Sequence, residues 1–265
     1  MSEDRKGVIV TGAAGGIGRA TCERLTRNGW NVLAIDRDAE KLGWAANAGI
    51  ASMVADVTSE EDNGRIVAEA ESRFGGLDAA VLNAGIMGGG SIDAMPFDAF
   101  RNVISVNLFG AVLGIRAALP ALRRQSGGAI VITSSTMGLG GDSENWAYGT
   151  SKHALIGLVR SVAREIGWEN IRINALCPGP TQDTGMTGPI KEVAPGHYDL
   201  LKRAVPLQRW ADADEMASVI EFLISPAASY VNGHAMVADG GAIVGTGLLF
   251  PAAGDGKVIP DQINN

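Results

Sequence analysis

Along most of this chain, short β-branched apolar runs alternate with amphipathic stretches. Gly7-Val8-Ile9-Val10-Thr11 predicts a strand, and the apolar spacing from Ile17 to Asn28, closed by Gly29, predicts the helix after it. The same reading places further strands at 31–35, 51–55, 78–82, 129–133, 172–176 and 235–238. It places helices at 59–74, 97–123, 147–166 and 212–223. Residues 180–210 are richer in Gly, Pro and polar types and predict a loop or lid with a helix inside it. Strands that are apolar at consecutive positions imply a sheet covered on both faces. The expected architecture is α/β: a Rossmann-like, doubly wound parallel sheet of about seven strands with helices on both faces. No linker, repeat or low-complexity tract divides the chain, so a single domain over 1–265 is expected.

Composition narrows the partners. The 265 residues are 46% hydrophobic, enough for a sizeable core, and carry a formal net charge of −7. An acidic surface disfavours nucleic acid and anionic membranes, which require basic groups for phosphates. The start Met1-Ser2-Glu3-Asp4-Arg5-Lys6 is charged and runs straight into the first strand, so no signal peptide is expected. No apolar run reads as the ~20 residues a membrane span needs. The two cysteines, Cys22 and Cys177, form neither a disulfide framework nor a metal spacing, and packing roles in a reducing cytoplasm are expected. His153, His197 and His234 are scattered, so no metal site is expected.

Chemistry gathers in two places. Between the first strand and helix lies Thr11-Gly12-Ala13-Ala14-Gly15-Gly16-Ile17-Gly18. Glycines there allow a tight turn and close approach of a pyrophosphate to the N–H groups of the helix N-terminus. Asp36 ends the second strand, where a carboxylate accepts from both hydroxyls of an adenosine ribose and repels a 2′-phosphate. NAD is therefore favoured over NADP, although the neighbouring Arg37 would hold a phosphate if Asp36 pointed elsewhere. The second place is Tyr148-Gly149-Thr150-Ser151-Lys152, with Ser135 thirteen residues before the tyrosine. On a helix Tyr148 and Lys152 share a face, and a nearby cation favours the phenolate. Tyr148 then serves as general acid or base toward an alcohol or ketone, with Ser135 polarising the same oxygen.

With these elements in this order, the chain resembles the short-chain dehydrogenase/reductase family in its compact form, over roughly residues 7 to 241. Gly12, Gly15, Gly16, Ile17 and Gly18 look like that family's cofactor loop. Asp56-Val57 resembles its adenine-edge pair, and a plain turn-capping Asp is the alternative. Asn83-Ala84-Gly85 is similar to its Asn-Ala-Gly, which lines the cofactor and steadies the sheet. Asn107 matches the helix asparagine that holds a water linking the lysine to solvent. The resemblance implies that Tyr148 is the acid/base and that Ser135, rather than Ser134, stabilises the substrate oxygen. It also implies that Lys152 binds the nicotinamide ribose and lowers the tyrosine pKa, while Asn107 supports a proton relay. Pro178-Gly179 is similar to the turn against the nicotinamide. Beyond it the chain departs, with Thr181 and Asp183 where the pattern has an aliphatic residue and a Thr. Thr181 is then the expected carboxamide contact, with Thr184 shifted by one.

The expected activity is an NAD(H)-dependent interconversion of a secondary alcohol and a ketone. An NADP-dependent carbonyl reductase and a non-catalytic NAD-binding sensor or scaffold are the alternatives. The small-molecule substrate would lie among 87–91, 137–146 and a loop at 182–210 bearing Met186, His197, Tyr198 and Trp210. Ala228 to Gly233 and Asp239-Gly240-Gly241 resemble the family's closing strand and turn, which implies a homo-oligomer, tetramer or dimer. The tail 243–265 lies beyond the resemblance.

Overall fold

The computed structural model describes residues 6–182 and 184–244. Asp183 and most of the tail therefore lie outside the described residues. So do the side chains of 189, 191, 193 and 197, which includes the His197 expected near the substrate.

Seven strands form one sheet: β1 Gly7–Thr11, β2 Asn31–Asp36, β3 Ala51–Val54, β4 Ala79–Leu82, β5 Gly128–Thr133, β6 Ile171–Pro178 and β7 Ala235–Ala238. The order is β3-β2-β1-β4-β5-β6-β7, with every pairing parallel. Side-chain alternation sends Ile9 to one face of β1 and Val8 and Val10 to the other, and all three are buried. The first face packs under α4 (Glu60–Phe74), α6 (Gly110–Arg124) and α7 (Trp146–Ile166). The second packs under α1 (Gly16–Arg27), the short α2 (Ala39–Leu42) and α3 (Trp44–Asn47), and α10 (Ala213–Ile224). Cys177 sits in the first core layer and Cys22 in the second, both free thiols.

The strands and long helices fall within a few residues of where the periodicity puts them. Three features differ. Gly43 separates two four-residue helices where only a connection was expected. Residues 182–210 hold two helices, α8 (Gly188–Val193) and α9 (Pro195–Ala204). The long helix is α5 (Phe97–Ile104), a π-helical turn (Ser105–Phe109) and α6 in unbroken succession. By length and composition alone, Phe97–Arg124 would pass for a membrane span, contrary to the sequence expectation. Val103, Ile115, Ala118 and Leu122 on its inner face are buried in the protein, which accounts for its apolar character.

Candidate active site

The strand order reverses between β1 and β4, and the carboxyl ends of these strands open a crevice of the kind that takes ligands in open α/β sheets. Side chains tie its floor together. The Thr11 hydroxyl accepts from the backbone N–H of Asn83 (3.0 Å) and of Ala84 (3.1 Å). The Asn83 amide donates to the Thr11 carbonyl (3.2 Å) and accepts from the Thr133 hydroxyl (3.0 Å). Asn83 thus links the ends of β1, β4 and β5.

The glycine-rich loop is closed too tightly for side chains. A Cβ on Gly12, whose φ is +69°, would stand 2.9 Å from the Ala84 Cα, and one on Gly18 would stand 2.1 Å from the Gly12 carbonyl oxygen. A Cβ on Gly15 would meet nothing, so that side of the loop is open. Helix α1 begins there with no side-chain cap and no acidic residue in its first turn, which leaves its N–H groups and dipole to an anion. The Asp36 carboxylate faces the loop, accepting from the N–H of Ala14 and of Asp38, each at 3.0 Å. Two of its four acceptor positions remain for diol hydroxyls. Arg37 stands exposed beside it. Asp56 accepts from the N–H and hydroxyl of Thr58 (2.9 and 2.8 Å), and these bonds hold its carboxyl below the usual range. It caps its own turn. Val57 packs against Gly110, where an added Cβ would lie 2.9 Å from it. These residues fit a dinucleotide: an uncapped helix start, an open loop side and a carboxylate with spare acceptors.

Ser135, Tyr148, Lys152 and Asn107 meet at the other end of the crevice. All four are buried. Tyr148 and Lys152 sit one turn apart on α7, and the Lys152 Nζ stands over the Tyr148 ring, 5.3 Å from its centroid. That ammonium donates to the Thr133 carbonyl at 2.8 Å. Burial lowers the Lys152 pKa from 10.5 to about 8 and raises that of Tyr148 from 10.0 to about 12. A hydrogen bond from Ser135 opposes the tyrosine shift. Desolvation outweighs any help the phenolate has from the lysine, so the tyrosine pKa is raised where the sequence expectation has it lowered. The two adjacent serines face different partners. The Ser135 hydroxyl lies on the Tyr148 side and accepts from the Met137 N–H (3.1 Å), while Ser134 turns inward and donates to the Lys152 carbonyl at 2.9 Å.

Asn107 lies on the π turn, and its side chain is fully engaged. Its oxygen accepts from the Ile86 N–H (2.8 Å), and its amide donates to the Ile86 carbonyl (3.0 Å) and the Ser151 hydroxyl (2.9 Å). Ser151 in turn donates to the Tyr148 carbonyl at 2.7 Å. Sequence reasoning gave Ser151 no role, because its partner lies 44 positions away on another helix. Gly85 admits this cluster, since a Cβ there would stand 3.3 Å from both the Asn107 oxygen and the Lys152 Nζ.

The turn after Pro178 and Gly179 resolves the expected ambiguity in part. The Thr181 hydroxyl is buried and donates to the Gly179 carbonyl (3.1 Å), so it is used inside its own turn. Thr184 is the residue lying against the glycine loop, its Cβ 3.1 Å from where a Gly16 Cβ would be. Among the aromatic residues expected near substrate, Trp210 is buried and stacks on Tyr198 at 4.5 Å, which braces α9. Trp146 packs at a tilt against Phe100 (ring centres 5.0 Å apart) and donates to the Gly90 carbonyl (3.1 Å), joining the 87–91 and 137–146 segments. Among the described residues, no group of three or more His, Cys, Asp or Glu is placed to hold a metal.

A sequence profile described as enoyl-(acyl carrier protein) reductase matches residues 12–242. Levodione reductase of Leifsonia aquatica is 34% identical over 247 residues, 88% of this chain and 92% of that protein. Trans-4-hydroxycyclohexanecarboxylate dehydrogenase of Sinomonas cyclohexanicum is 36% identical over 255 residues, 92% and 95% of the two chains. The 2,5-dichloro-2,5-cyclohexadiene-1,4-diol dehydrogenase of Sphingobium indicum is 36% identical over 241 residues, 89% and 96%. The crystal structure of levodione reductase superposes with a TM-score of 0.85 at 33% identity, covering 90% of this chain and 97% of that one. Profile, relatives and superposition agree with the parallel sheet and the crevice at its switch point, and the chain belongs to the short-chain dehydrogenase/reductase family of nicotinamide-dependent oxidoreductases.

Proposed function

We propose that this protein is an NAD(H)-dependent dehydrogenase that interconverts a secondary alcohol and a ketone, with Tyr148 as the acid/base. The observation that carries the reading is the buried cluster of Ser135, Tyr148 and Lys152 at the mouth of the cofactor crevice. The bound nicotinamide supplies the hydride acceptor or donor. Ser135 and Tyr148 hold the substrate oxygen between two hydroxyls, and Tyr148 takes the proton of an alcohol or returns one to a ketone. Lys152 holds the nicotinamide ribose, and its charge makes a phenolate less costly once ligands exclude water. Asn107 and Ser151 keep the π turn, the Ile86 backbone and α7 in register around that proton path. Along the crevice, the dinucleotide contacts are the loop Gly12, Gly15, Gly16, Ile17 and Gly18, then Asp36, Asp56-Val57, Asn83-Ala84-Gly85 and Pro178-Gly179, with Thr184 joining Thr181. The choice of NAD rests on Asp36, whose carboxylate two backbone N–H groups hold against the glycine loop, where it would accept from ribose hydroxyls. Exposed Phe97 and Phe109 on the α5–α6 helix support a homo-oligomer, tetramer or dimer.

Two of the relatives are named for hydroxyl groups on six-membered carbon rings, so cyclic secondary alcohols are the first class to test. A panel of cyclic and acyclic alcohols, followed by nicotinamide absorbance with NAD+ and NADP+ in parallel, tests the reading. Turnover with NAD+ is expected. A strong preference for NADP+ would overturn the use of Asp36. Tyr148→Phe is expected to bind NAD+ normally and to lose about 10²- to 10⁴-fold in kcat; full activity in that variant would sink the mechanism.

A further inference from the structure

The glycine loop is held from a direction the sequence does not suggest. The peptide unit between Ala13 and Ala14 has one acceptor and one donor, and both are gripped from the β2 side. The Trp44 indole N–H donates to the Ala13 carbonyl at 2.9 Å. Asp36 accepts from the Ala14 N–H at 3.0 Å. One residue earlier, the Ala13 N–H donates to the Ile35 carbonyl, also at 3.0 Å. Two consecutive peptide planes are therefore docked on β2 and the segment after it, and the next N–H groups in the chain open α1.

Trp44 is itself held. The Arg19 guanidinium lies 4.9 Å from the centre of its ring and pairs with Glu23 at 2.9 Å. From below, the indole packs on the core layer that contains Leu42 and Ala45. Gly43 breaks the connection after β2 into two short helices, and Trp44 is the first residue of the second.

We infer that Trp44 is a positioning residue for dinucleotide binding, fixing the Ala13–Ala14 peptide so that the N–H groups opening α1 face the diphosphate before it arrives. This rests on the NAD(H) reading above. A preorganised loop binds without the cost of ordering itself, and removing one hydrogen bond from it weakens binding by the worth of that bond. Trp44→Phe keeps a ring for Arg19 and removes the donor.

The test is calorimetric titration of the wild type and Trp44→Phe with NAD+ and with ADP-ribose, beside thermal unfolding without ligand. The Kd for both ligands is expected to rise roughly three- to tenfold in the variant. ADP-ribose lacks the nicotinamide and requires no turnover, so its loss reports on the loop. In steady state the loss is expected in KM for NAD+ rather than in kcat or in KM for the alcohol. Equal Kd values in the two proteins would overturn the inference, as would a lower unfolding temperature with unchanged Kd, which would mark Trp44 as packing only. Failure of the wild type to bind either ligand would instead overturn the NAD(H) reading, and the inference with it.

Discussion

Lys152 carries the largest electrostatic tension in the site. It is fully buried, and among the described residues its ammonium donates to a neutral carbonyl, Thr133, rather than to a carboxylate. With its pKa lowered from 10.5 to about 8, the folded state binds this proton less tightly than the unfolded chain does. The cost of burying the charge is therefore present in full below about pH 8 and is relieved as pH rises from there toward 10.5. Tyr148 works in the opposite sense at higher pH: raised from 10.0 to about 12, it contributes stability below pH 10 that is lost on the way to 12. In Lys152→Met the first dependence disappears. The unfolding temperature of the wild type, measured against that variant across pH 7 to 9.5, is expected to rise relative to it as the lysine loses its proton. A flat difference would mean that the ammonium is not desolvated as the structure has it.

At the scale of elements, the π turn and α7 are joined by one small hydroxyl. Ser151 accepts from the Asn107 amide and donates to the Tyr148 carbonyl, both in the interior. Ser151→Ala leaves one amide hydrogen of a buried asparagine without its acceptor, which costs about 1–3 kcal/mol. The urea midpoint is expected to fall by that cost divided by m, with m itself unchanged. The site's polar residues were legible in the sequence because each belongs to a local pattern: glycines at a strand-to-helix turn, Asp36 at a strand end, Tyr148 and Lys152 one turn apart. The elements were legible because burial on two faces imposes apolar periods. Ser151 and Trp44 were not, because their meaning lies in partners from other elements. The π turn was not either, because Ser105–Phe109 continues the apolar pattern of the helix around it and only the hydrogen-bond register changes. Residues 180–210 showed one helix where there are two, because Gly188, Pro189 and Pro195 read as loop residues although Pro is well suited to a helix's first turn.

The whole molecule is closed by its first and last long helices. Arg24 and Arg27 of α1 reach Asp214 of α10 (2.8 and 3.1 Å), and Arg24 also reaches Glu221 at 2.7 Å, which accepts from Asn28 as well. These contacts span more than 180 positions of sequence and bind the cofactor half to the end of the chain. They are partly exposed, so Arg24→Ala is expected to cost only about 1 kcal/mol, and less at high salt. Thermal unfolding of the two proteins at low and high ionic strength measures both effects.

The parallel sheet also dictates an order of assembly. β1 emerges first but occupies the middle of the sheet, and its second neighbour, β4, begins 72 positions later. The glycine loop borrows bonds from both sides: from Asp36 at the end of β2 and, through Thr11, from Asn83 beyond β4. A nascent chain that has released β1 to β3 therefore holds the loop by its β2 side alone, without the bonds between Thr11 and Asn83. Loop closure over such separations is slow and entropically costly. The crevice at the switch point is complete only once β4 has paired with β1, so any stabilisation by a bound dinucleotide begins with that pairing.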